Sequence, residues 1–202
     1  DAAAADALES TASGTVAIGK DALAALTSGA GNTAVGYQAG AAIVSGIENT
    51  IMGYQAHDVG VGDGNTAIGK AAMGSMSHAT SDKNVAIGAY SLLSTGANAS
   101  VGQVMVGYEA GNAITSGTGS TAVGFQAMNV NETGCCNVVV GHNSNVGSTS
   151  AENQNAFGYN CTSVNVDNTV TLGNAAVTAV YMASDSGATV YCGGINSGDI
   201  QL

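Results

Sequence analysis

The residues of this chain that could do chemistry are few and scattered. In 202 residues there are fourteen acids, three lysines (Lys20, Lys70, Lys83), three histidines, four cysteines and no arginine. Cleaving a glycosidic bond takes two carboxylates about 5–9 Å apart. The acids here are spread through segments rich in glycine, serine and asparagine and share no repeated position. Asp58 and Asp63, in "HDVGVGDG" with His57, form the one close group. It suits either a weak cation site or a solvated loop, and the loop is favoured. Cys135 and Cys136 are adjacent while Cys161 and Cys192 stand alone, which is no zinc spacing. The expectation is therefore no enzyme, no metal and no cofactor.

Aromatic residues are placed more regularly. Tyr37, Tyr54, Tyr108, Phe125 and Tyr159 each follow a glycine, and Lys20, Lys70 and His142 fill the same place elsewhere. Rings stacked at sheet spacing offer a glycan-contact ladder, with Gln38, Gln55, Glu109 and Gln126 beside them as hydrogen-bonding groups. The alternative is a ladder that only covers a sheet edge or subunit interface, and it is favoured.

Both patterns depend on a repeat that positions them. "TVAIG", "NTAVG", "NTIMG", "NTAIG", "NVAIG", "QVMVG", "STAVG", "NVVVG", "QNAFG" and "TVTLG" end at Gly19, Gly36, Gly53, Gly69, Gly88, Gly107, Gly124, Gly141, Gly158 and Gly173. The spacing runs from 15 to 19 residues with a mean near 17. Such a period is the signature of a solenoid. Four or five alternating β-branched and small residues are a strand, and glycine permits the bend that follows. A second extended stretch, such as "AAIV" (41–44) or "SLL" (91–93), then precedes a polar loop. The fold expected is all-β: a parallel β-solenoid or β-roll of about ten coils.

Residue columns suggest the interior. Ile18, Val35, Met52, Ile68, Ile87, Val106, Val123, Val140, Phe157 and Leu172, just before the glycines, are always large, and are expected to form the core column. Three residues after each glycine stands a small residue, Cys161 among them. Asn32, Asn49, Asn65, Asn84 and Asn137 recur four residues before it, where a stacked amide ladder or a turn would suit. On this assignment Val123→Asp destabilises the rod. Residues 15–180 form the repeat array, 1–14 a partial preceding coil and 181–202 an exit or cap. No capping element is visible at the start, so more protein or another subunit is expected ahead of residue 1.

One such coil buries little apolar area, and the second half of each holds more: Leu23, Leu26, Ile43, Val44, Met73, Met76, Leu92, Leu93, Ile114, Met128 and Val130. This surplus is expected to pack against copies of the chain, intertwined or side by side around a threefold axis, as a homotrimer. A wider single-chain core is the other possibility. A net charge of −11 argues against nucleic acid and anionic membranes. No apolar run approaches the roughly twenty residues of a membrane span.

"NTAVGYQAG", "NTAIGKAAMG" and "STAVGFQAM" resemble repeats of marine-type bacteriophage tail fibres, over roughly residues 15–180. The "VAIG" core is also similar to the heads of trimeric autotransporter adhesins, whose coils are shorter. The resemblance implies a virion protein, shaft or distal part of a tail fibre, located in the virion or outside the cell. Its partners would be copies of itself, upstream virion proteins, and a glycan or protein receptor on the host surface. A cellular adhesin or extracellular filament built from the same solenoid is the alternative.

Overall fold

The structure, a computed structural model, describes residues 12–59, 62–75, 81–93 and 99–180. The expected exit segment 181–202, most of the leading partial coil, Met76 and Cys192 lie outside them.

Each repeat contributes one short strand that stops at the residue before the glycine. In chain order they are β1 (Val16–Ile18), β2 (Thr33–Val35), β3 (Thr50–Met52), β4 (Thr66–Ile68), β5 (Val85–Ile87), β6 (Ser100–Val101) and β7 (Val104–Val106). Next come β8 (Gly117–Thr118), β9 (Thr121–Val123), β10 (Val138–Val140), β11 (Gln154–Phe157) and β12 (Thr169–Leu172). All but β6 and β8 join one ten-stranded parallel sheet, stacked in sequence order. Equivalent residues pair, Ala17 with Ala34, Ala34 with Ile51 and Val139 with Ala156. The two-residue strands β6 and β8 pair separately. The chain is thus an all-β parallel solenoid, each lap lying on the one before. At about 4.8 Å per strand the sheet is about 45 Å long.

The second extended stretch expected in each coil is a turn instead. Two and four residues after the glycine, the backbone is left-handed in most coils; after Gly141 and Gly158 the fourth residues, Asn145 and Thr162, form a parallel bridge. Asp21 and Leu23, Gln55 and His57, Tyr90 and Leu92, and Gln126 and Met128 take φ between 44° and 59°. A strand sends consecutive side chains to opposite faces. Alternating left-handed residues send two in succession inward, so that Ala22 with Leu23, Ala72 with Met73 and Ala127 with Met128 are all buried.

The core column is also corrected. The large residues before the glycines face outward: Ile18, Met52, Ile87, Val123, Val140, Phe157 and Leu172 are exposed, and Val35, Ile68 and Val106 half-buried. The inward strand position is the one before them, where Ala34, Ile51, Ala67, Ala86, Met105, Ala122, Val139 and Ala156 are fully buried. The reason is width: opposite the strand the interior is already filled by the turn. Leu23, Leu26, Ile43, Met73, Leu92, Ile114 and Met128, expected to seek a partner chain, occupy the single-chain core. Val44 and Val130 from the same group are exposed.

Volume is balanced coil by coil. Where the fourth residue after the glycine is itself glycine, larger neighbours close in. A β-carbon on Gly40 would come within 2.7 Å of Leu23 Cδ2, 3.0 Å of Ile51 Cδ1 and 3.2 Å of Ile43 Cδ1. Gly111 is enclosed likewise by Met105 and Ile114. These are the coils in which the strand contributes isoleucine or methionine, or borders one that does. Interiors are packed too densely to leave such gaps open.

The amide ladder is present and forms a buried spine. Asn32, Asn49, Asn65, Asn84, Gln103, Ser120, Asn137 and Gln154 are all almost completely shielded from solvent. Each side-chain oxygen accepts the main-chain N–H of the next member: Asn32 to Asn49 at 3.0 Å, Asn84 to Gln103 at 2.9 Å, Asn137 to Gln154 at 2.8 Å. The asparagine NH2 groups donate across the coil to main-chain carbonyls, Asn49 to Gly62 at 2.9 Å and Asn84 to Ser100 at 2.8 Å. These inward-facing backbone groups have no water to bond, so the side chains satisfy them.

Candidate functional site: the outward sheet face and the ring ladder

Strand alternation puts a second column outward beside the large aliphatics: Val16, Thr33, Thr50, Thr66, Val85, Val104, Thr121, Val138, Asn155 and Val170. Neither column contains a charged residue, although the chain carries −11 overall. The result is an uncharged, mainly apolar strip along the sheet, roughly 45 Å by 10 Å from the strand spacings. Patches of a few hundred Å² on this scale mark contact surfaces.

The glycine after each strand separates this strip from the rings. Gly19 has φ 123° and Gly53 φ 135°, and a β-carbon on either would stand 2.5 Å from the carbonyl oxygen of the equivalent glycine one coil on. The close backbone approach at this corner keeps the rings in register. Tyr37 stacks on Tyr54 with centroids 5.2 Å apart and planes at 17°. Tyr108, Phe125 and His142 continue at 5.1 and 4.9 Å with planes within 14°, and Tyr159 closes the series, tilted 36° to His142 at 5.4 Å.

Tyr90 belongs to this ladder and was not among the expected residues. Gly88 is followed by alanine, and the ring comes one place later, at a left-handed residue with φ 59°. It meets Tyr108 edge to face at 6.0 Å and takes the Lys70 ammonium at 5.2 Å from its centroid. Hydrogen bonding to Tyr90 raises the Lys70 pKa. The sequence signal was a tyrosine at the second place after a glycine, where other repeats carry Asp21, Gln38, Gln55, Glu109 or Gln126.

This geometry limits what the ladder can bind. A sugar packs on the face of an aromatic ring, and the facing sides of Tyr37 and Tyr54, and of the run Tyr108, Phe125, His142 and Tyr159, are taken up by one another. The polar neighbours are also engaged: Gln55 Nε2 donates to Gln38 Oε1 at 2.9 Å and Gln126 Nε2 to Glu109 Oε2 at 2.6 Å. The Glu109 carboxylate beside it raises the Tyr108 pKa. Tyr159 is the most open of the rings, 63% exposed, bordering a hollow of about 330 Å³ lined by Gly158, Gly173, Asn174, Ala176 and Val177.

The acid–histidine group is dispersed by the fold. His57 is fully buried in the core and Asp58 is half-buried. Burial of Asp58 raises its pKa. Asp63 is exposed, and its Oδ1 accepts the Ile47 N–H at 2.9 Å while its own N–H donates to Asp82 Oδ1 at 2.9 Å. Its carboxylate ties one coil to the next. Among the described residues no group of three or more histidines, cysteines or acids could hold a metal ion, and no helix is long and apolar enough to cross a membrane. Cys161 fills the small-residue column, completely buried. Searches of family models, curated proteins and solved structures return no match to this chain.

Proposed function

We propose that this chain is a structural subunit of a viral, phage-type tail fibre, in its shaft or in a distal part that meets the host cell, assembled from three copies of itself. The observation that supports this is the outward sheet face. A partner for a straight strip repeating every 4.8 Å or so must repeat at the same interval, and a second copy of this chain does so. On this reading the self-contact lies on the strands and not in the second half of the coil, whose large residues fill the single-chain core. Residues such as Ile18, Met52, Val123 and Leu172 take the place of Leu23, Met73 and Met128 in it. The repeat resemblance supports the viral setting, and the host receptor, a surface glycan or protein, would be met away from the mutually stacked rings of the shaft.

Mass measurement in solution tests the assembly. The expected result is three chains per particle for the native protein, and single folded chains for Val123→Asp with Val140→Asp. A native particle of one chain at micromolar concentration overturns the reading.

A further inference from the structure

Cys135 and Cys136 follow one another in the corner before β10, with their sulfurs 3.0 Å apart. Neighbouring side chains in an extended segment diverge. Here Cys136 is left-handed, φ 61°, and the two thiols come to the same side. The peptide between them is held from both neighbouring coils. The Asn153 N–H donates to the Cys135 carbonyl at 3.1 Å, and the Cys136 N–H donates to the Thr118 carbonyl at 3.1 Å. One coil earlier this left-handed position is Gly119 and one coil later Asn153, residues that adopt it readily. Elsewhere in the array Glu48 (φ 57°) and Lys83 (φ 58°) hold the same position, so the conformation belongs to the repeat, and what sets this corner apart is the second thiol that it places beside the first. Both thiols are free, Cys136 is exposed and Cys135 half-buried, whereas Cys161 is sealed in the core.

We propose that Cys135 and Cys136 form a reversible redox site, which closes to a disulfide between adjacent residues under hydrogen peroxide and reopens with a dithiol. In the first step the Cys136 thiolate attacks the peroxide. The O–O bond breaks, hydroxide leaves with the electron pair, and Cys136 becomes a sulfenic acid. Cys135 then loses its proton, its sulfur attacks Cys136 Sγ, the S–O bond breaks, and the oxygen departs as water. Two thiols are oxidised by two electrons and one peroxide is reduced to two waters.

The order follows from the surroundings. The hydrogen bond with Cys136 and then burial push the Cys135 thiol up to about 11, and Cys136 is the more exposed of the two, so the first attack belongs to Cys136. Adjacent Cα atoms lie about 3.8 Å apart across a trans peptide, closer than in an ordinary disulfide. The ring so formed is strained and easily reduced, the behaviour of regulatory rather than structural bridges.

The test treats the native chain with one equivalent of hydrogen peroxide and reads intact and peptide masses. The expected result is loss of two hydrogens within the single peptide that carries both cysteines, restored by dithiothreitol. Cys161→Ala should respond like the native chain. Cys135→Ser and Cys136→Ser should gain oxygen or cross-link between chains instead. Phenylarsine oxide, which bridges two neighbouring thiols with release of water, should add once to the native chain and to neither serine variant. Oxygen added at Cys136 of the native chain without loss of hydrogen overturns the proposal. So does a bridge to Cys161 or Cys192, or the absence of an arsenical adduct.

Discussion

Asn49 Oδ1 accepts the main-chain N–H of Asn65 at 2.9 Å, so an amide in one coil holds the backbone of the next. Asn65 repeats the arrangement with Asn84 at 3.0 Å and sends its NH2 to the Ser81 carbonyl at 2.9 Å. Asn65→Ala therefore strands one buried N–H and one buried carbonyl. Each such group costs about 1–3 kcal/mol, and the expected loss is about 2–5 kcal/mol by denaturant unfolding. Asn155→Ala, on the half-buried outward column, should change stability by less than about 0.5 kcal/mol.

Glycines differ sharply by position. Gly53→Ala places a β-carbon 2.5 Å from the Gly69 carbonyl oxygen at φ 135°, and its three nearest atoms all belong to the Gly69 backbone. Separation of two coils is the only relief, and the chain should fail to fold or lose more than about 4 kcal/mol. Gly102→Ala, φ 68°, meets nothing within 4 Å and should cost only about 1 kcal/mol of left-handed strain. Equal effects at the two sites, read by thermal unfolding, would contradict the coil-to-coil contact.

The strand alternation makes a third comparison. Ala86 is fully enclosed and Ile87 is exposed. Ala86→Leu overpacks the interior and should destabilise by about 1–3 kcal/mol or more. Ile87→Ala should leave the single chain nearly as stable. Denaturation of dilute protein, below the concentration at which copies associate, separates the two effects.

Acid should weaken one coil through His57. Its ring is fully buried, and neither nitrogen reaches a hydrogen-bond partner. Burial lowers its pKa from 6.5 to about 4, with the nearby Met73 main chain opposing a lesser part. A depressed folded pKa means that the unfolded chain takes up the proton first. The stability is fully present above pH 6.5 and is lost as pH falls toward 4, by on the order of 3 kcal/mol. His57→Leu should flatten this part of the curve; an unchanged pH profile in that variant would place the acid sensitivity elsewhere.

The sequence carried the lap length, the strands and the parallel stacking, because glycine anchors all three to one position that recurs. It misled on sidedness. A column of unbroken aliphatics looks like a core, and here Ile18, Val123 and Leu172 lie outside it. The correct side was legible from Asn32 and Ala34: if a buried amide and an alanine share the inward face two residues apart, Val35 must face the other way. Turn geometry was less accessible, since Leu23, His57 and Met73 adopt left-handed conformations that their side chains do not announce. They do so because the coil needs consecutive inward residues at that corner. The thiol pair also escaped the columns, as nothing in the order of two cysteines says that Cys136 turns back on Cys135.

The bonds between laps run along the long axis, end to end, from β1 to β12. Under tension they act in series, every seam bearing the whole load. Rupture strength is then set by the weakest seam and gains nothing from further laps, whereas reach grows with each one. A tether of this construction can be lengthened indefinitely without becoming tougher to pull apart.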